Sequence, residues 1–234
     1  MAIFELHIPP CFFDSSSANN NFESVSERVA KAFLSDIVNS PNLIRGDDKK
    51  NEPDYISEEN GFEVTFAINS SLIPQIKGVK ELDGSRRNIE DELIADIADA
   101  AERKANKTYS CKPTLVLITI STLVTWYSSL YFKESHPMAQ MAWRLFAAKR
   151  NKLFRDLYNR YILGEKFKNI YIIQPTFDGT FAFFNIKNYV ESGTNYLTHV
   201  QALEPKLFPT YRLINAESLN DVRSYKINII NHTM

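Results

Sequence analysis

Two carboxylates stand nine residues apart in "PDYISEENGFE", residues 53–63 of a 234-residue chain. Asp54 opens one short apolar run and Glu63 lies inside the next, with Asn60-Gly61 between them as a hairpin-turn signal. The spacing predicts strands over 54–57 and 61–68. Side chains two apart on a strand share a face, so Glu63 and Thr65 point one way and Phe62, Val64 and Phe66 the other. Pairing across the turn brings Asp54 toward Glu63. Carboxylates held that close repel unless a cation separates them. Oxygen ligands of this kind suit Mg²⁺ or Mn²⁺, and such an ion can position a water and neutralise charge on a scissile phosphate.

These residues need elements to hold them. A helix is expected over 21–39, where Phe22, Val25, Val29, Phe33 and Ile37 form one stripe. A second is expected over 86–105, on Ile89, Leu93, Ile97 and Ala101. Residues 114–120 are β-branched and read as a buried strand. A long helix is expected over 137–162, and strands over "NIYIIQP" and "TFAFFNI". Residues 69–85 read as irregular or as a short helix, and further strands are expected near 210–215 and 225–231. A helix between the hairpin and strand 114–120 permits a parallel crossover, so the class is α/β.

In this order, "PDY" followed by "FEVT", with Glu27 on the helix before them, resembles the PD-(D/E)XK or restriction-endonuclease-like nuclease superfamily. The resemblance implies an αβββαβ core: a mixed central sheet flanked by helices, spanning about 20–186, with a C-terminal extension over 187–234 in a single domain. It implies Glu27, Asp54 and Glu63 as ligands of Mg²⁺ or Mn²⁺, with the Val64 carbonyl added. Asp54 and Glu63 are then catalytic. Thr65 stands where that family usually has lysine, and a displaced lysine has to replace it. Lys77 is the first choice and Lys80 the second. The activity implied is hydrolysis of phosphodiester bonds in DNA or RNA. The other reading is a module of the same fold that has lost catalysis and binds nucleic acid or protein.

Charge supports a nucleic-acid partner locally rather than globally. The net charge is −1, which decides nothing by itself. Residues 47–63 hold seven acids against two lysines, whereas 144–168 hold eight Lys and Arg against two acids. Lys149, Arg150, Lys152 and Arg155 are therefore the candidate contacts for a phosphate backbone. DNA stands ahead of RNA as partner, and a homodimer stays open. The four histidines are isolated in sequence, and no Gly-rich phosphate loop appears.

Residues 113–132 carry no charge over a span near bilayer length. Their β-branched first half and hydroxyl-rich second half favour a strand followed by a helix. With two cysteines and no signal-peptide pattern at the N-terminus, a cytoplasmic protein without membrane contact is expected.

Overall fold

The structure is a computed structural model that describes residues 2–8, 25–36, 42–58, 60–67, 81–85, 89–119, 149–175, 180–192, 198–201, 210–215 and 224–231. It is a mixed α/β chain with two sheets. The larger has seven strands: β2 (Ile44–Arg45), β3 (Tyr55–Ser57), β4 (Asn60–Ala67), β6 (Thr114–Thr119), β7 (Asn169–Pro175), β8 (Thr180–Asn185) and β9 (Thr198–Gln201), hydrogen-bonded in that order. The smaller joins β10 (Thr210–Asn215), β1 (Ala2–Ile8), β11 (Ser224–Asn231) and β5 (Glu81–Ser85).

The larger sheet is mixed. β2, β3 and β4 form an antiparallel meander, β4, β6 and β7 run parallel, and β8 and β9 return antiparallel. The parallel pair β4–β6 needs a crossover, and helix α2 (Ile89–Ala105) lies within it. Helix α1 (Val25–Asp36) precedes the meander and packs on β4 and β6, as does α2. Helix α3 runs over 149–157 and closes in a π-turn at Tyr158–Ile162. The short helix α4 (Ile186–Ser192) follows β8.

Strand β6 is buried at all six residues, as its run of branched apolar side chains demands of a central parallel strand. Its alternation serves two cores. Leu115 and Leu117 join Ala67 of β4 in one cluster with Ile97, Ala100, Ala101 and Ala105 of α2 and Leu153, Phe154 and Leu157 of α3. Val116 and Ile118 alternate to the opposite face of β6, and both are buried. Among the residues of α1 whose burial is described, Ala30, Phe33 and Leu34 are buried, spaced for one helical face. Three alanines on the buried face of α2 keep its backbone close to the strands, so even a side chain near the helix end can reach the sheet.

Several expectations need correction. Residues 81–85 form strand β5, paired with β11. Alternation is too weak in "ELDGS" to signal this, and the partner lies far off in sequence. Asn60-Gly61 belongs to the strand rather than to the turn, because Ser57 pairs with Asn60 and Ile56 with Gly61. Cys111, read from the sequence as a buried residue at the start of a strand, is exposed. The expected helix at 121–132 and the first part of the one at 137–162 lie outside the described residues. Among the described residues, no helix is long and apolar enough to cross a membrane.

Phe154 is fully buried and meets the rings of Phe184 and Tyr189 edge-on, with centroids 5.3 Å and 5.0 Å away. Phe154→Ala should cost about 4 kcal/mol through lost burial and the cavity left behind. Leu163→Ala, at a side chain exposed on the surface, should stay within about 0.5 kcal/mol. Urea unfolding of both variants checks the pair, and equal losses would contradict this packing.

Candidate functional site

The site is built on the β3–β4 hairpin. The register pairs Tyr55 with Phe62, and one step further puts Asp54 opposite Glu63. Residues opposite one another in an antiparallel pair share a face. Asp54 does not complete a backbone pair there. Its Oδ2 accepts the Val64 N–H at 2.6 Å, which fixes the carboxylate at the strand edge.

The connection before it is tied down at several points. Gly46 N–H donates to the Asp54 carbonyl at 3.1 Å, and Asp47 N–H donates to Glu52 Oε2 at 2.8 Å. Ser110 N–H donates to the Asn51 carbonyl at 2.8 Å, joining this connection to the loop that enters β6. Gly61 has a packing role instead of a turn role. A Cβ there would sit 2.5 Å from Pro53 Cγ and 2.9 Å from Cys111 Sγ. Its bare backbone lets Pro53 lie against β4 beside Asp54.

Glu63 is 1% exposed, in the middle of a sheet. A buried carboxylate without partners is costly enough that it neutralises or recruits a cation. Two cations meet it. Lys104 Nζ lies 2.5 Å from Glu63 Oε1 and Lys107 Nζ lies 2.8 Å from the same oxygen. Lys104 sits in the last turn of α2, and Lys107 in the turn just after it. The Tyr109 hydroxyl donates to the Lys104 carbonyl at 3.1 Å, capping the helix end. Lys107 Nζ stands 5.6 Å from the centre of the Tyr109 ring.

The electrostatics follow from this crowding. Burial first, and the charge of Glu63 next, push the Asp54 carboxyl from its ordinary 3.8 up to about 6, against the pull of Lys104 and the Val64 N–H. Glu27 adds a further upward push. Burial works to lower the Lys107 ammonium, but the hydrogen bond and charge of Glu63, with the charges of Asp54 and Asp48, outweigh it and leave its pKa raised. Burial, Glu63 and Asp54 raise the Tyr109 hydroxyl above its ordinary value.

The expected residues are distributed unevenly around this centre. Glu27 lies on α1 with its side chain 14% exposed, and Arg45 Nη2 stands 3.9 Å from its Oε1. Thr65 is half-buried and turns its hydroxyl to the Phe66 carbonyl at 3.4 Å. Lys77 and Lys80 lie outside the described residues. Lys149, Lys152 and Arg155 are exposed on α3. Arg150 is half-buried, with its guanidinium 5.5 Å from the centre of the Phe184 ring. Lys104 and Lys107 were not anticipated. The available signal was the helical phase: Ile97, Ala101 and Lys104 fall at i, i+4 and i+7, so a lysine continues an apolar stripe.

Hard oxygen donors on Asp54 and Glu63 suit Mg²⁺ or Mn²⁺, and Mg²⁺ is commonly held by one or two carboxylates with water completing its shell. The raised Asp54 pKa comes from burial first and from the neighbouring Glu63 charge second, so it does not by itself call for a cation. Among the described residues, no three His, Cys, Asp or Glu side chains converge to hold a metal ion. Asp54 and Glu63 are the two carboxylates that this face of the hairpin offers, the first bonded to the Val64 N–H and the second to two lysines. No family model, curated protein or solved structure matches the chain.

An acid whose pKa is raised on folding binds its proton more tightly in the folded state. The folded state therefore loses stability as pH climbs from about 4 to about 6, and the loss is complete above that. Asp54→Asn keeps an acceptor for the Val64 N–H without the charge. It should gain on the order of 2–3 kcal/mol over the wild type at pH 7.5 and roughly a third of that at pH 4.5. Urea unfolding at the two pH values measures the difference. An equal gain at both would assign the effect to something other than the Asp54 charge.

Proposed function

We propose that the chain is a metal-dependent nuclease that hydrolyses phosphodiester bonds, with Asp54 and Glu63 as ligands of Mg²⁺ or Mn²⁺ and Lys104 in the position of the missing motif lysine. The observation that carries this reading is the Lys104 ammonium, brought by α2 to 2.5 Å from Glu63. The order α1, β2, β3, β4, α2, β6 over 25–119 agrees with the αβββαβ core that the resemblance to restriction-endonuclease-like proteins implies. Strand β5 intervenes in sequence, and it belongs to the smaller sheet.

In this reading each residue has a separate task. Asp54 is anchored by the Val64 N–H and keeps one oxygen edge for the ion. Glu63 presents its carboxylate from the same face, and the Val64 carbonyl and Glu27 remain candidate further ligands. When bound, the ion would supply a polarised water and neutralise charge on the phosphate. Lys104 orients the attacking water or stabilises negative charge that grows on the phosphate. The exposed Lys149, Lys152 and Arg155, with Arg150, hold the nucleic-acid backbone, DNA ahead of RNA.

The second reading is a module of the same fold without catalysis. The specific observation in its favour is that two lysines already neutralise Glu63. It keeps salt-dependent nucleic-acid binding and lacks cleavage.

Cleavage of labelled DNA and RNA in Mg²⁺ or Mn²⁺ separates the two. Asp54→Ala should abolish cleavage with the fold intact by circular dichroism. Lys104→Ala should slow it by about 10²-fold or more, while Lys77→Ala leaves the rate within about twofold. Full activity in Lys104→Ala would sink its role. Binding without any cleavage by the wild type would favour the silent module.

A further inference from the structure

Lys104 and Lys107 differ in how firmly they are held, although both reach the same oxygen of Glu63. Lys104 projects from within α2 and its side chain is 19% exposed. Lys107 lies beyond the helix, and its side chain is 49% exposed. Charge sets the same contrast. Asp54 and Glu63 carry two negative charges, which the two lysines balance in the metal-free protein and which a divalent ion would balance by itself, while the Arg45 guanidinium stands 3.9 Å from Glu27. With an ion bound both ammonium groups are in excess, and Lys107, more exposed and beyond the helix, is the one with the easier way out. Lys107 has somewhere to go: the field of Asp48 and the Tyr109 ring already act on it, and its half-exposed stem meets water.

We propose that Lys107 is a tethered counter-cation that occupies Glu63 Oε1 in the metal-free protein and is displaced when a divalent cation binds. The inference rests on the metal-dependent reading above. It makes Lys107 a built-in competitor, which raises the ion concentration at which the site fills and keeps the acid pair neutralised before then. Lys104 stays in place throughout.

Calorimetric titration of MnCl₂ alone into the full chain tests this. Lys107→Met should bind about fivefold tighter than the wild type, the equilibrium factor of a partly exposed ion pair, and Lys107→Arg should not. Glu63→Gln should abolish binding in either background. Equal affinity in wild type and Lys107→Met overturns the displacement and leaves the metal site standing. No binding in either, or binding untouched by Glu63→Gln, overturns both readings. A second readout avoids substitution at Lys107. Acylation of lysines with an anhydride, quantified by mass spectrometry, should rise at Lys107 on adding Mg²⁺ and stay flat at Lys104. An unchanged Lys107 also overturns the displacement.

Discussion

A carboxylate at the centre of a sheet sets the terms for everything around it. Glu63 has almost no contact with water, so its charge has to be balanced by protein groups. Lysines can do so only if a helix ends within reach. That requires α2 to lie close against β4 and β6, and its alanine face allows the approach. It also requires the chain to turn immediately after Ala105, which the Tyr109 hydroxyl on the Lys104 carbonyl secures. Removing both lysines would leave an uncompensated charge where an apolar residue would have been simpler. A buried polar centre of this kind is weak support for stability alone. Its cost is easier to understand where the charge has a task.

The hairpin solves a second problem, the placement of another acid next to the first. Asp54 is not a ladder residue, and the Val64 N–H that would face a strand partner turns to its carboxylate instead. Pro53 suits that position because it asks for no ladder bond at the point where pairing stops. The bare backbone of Gly61 gives the ring its room. Three features, Pro53, Asp54 and the glycine of β4 on which the proline ring rests, thus make one strand end into a presentation edge. The tether from Ser110 to Asn51 fastens this edge to the loop carrying Lys107.

Much of this frame was legible in the residues. Strong periodicity marked α1, α2 and β6 because burial on one helical face or throughout a central strand leaves a repeating pattern. Alternation marked β3 and β4, and the relation of Asp54 to Glu63 follows from it within one residue. The turn was misplaced because Asn-Gly is a turn signal by backbone freedom, whereas here Glu58 takes the left-handed conformation, with φ 41°. Gly61 answers to packing from Pro53 and Cys111, which no local pattern encodes. Lys77 and Lys80, the expected lysines, lie outside the described residues, and the lysines that meet Glu63 come from further along the chain. A crossover helix returns its far end to the start of the strand it left, so Lys104 arrives from 41 residues away. Strand β5 was missed for the same reason, its pairing with β11 being long-range.

That separation also orders events in time. A hairpin closes over a two-residue loop on the scale of microseconds, so the two acids meet early. Their counter-ions arrive only after the chain has laid α2 against β4, a far longer loop to close. During that interval the nascent hairpin holds like charges together with nothing between them. The acid pair therefore opposes its own first element of structure and supports the last one, which biases the chain against stopping at a half-formed sheet.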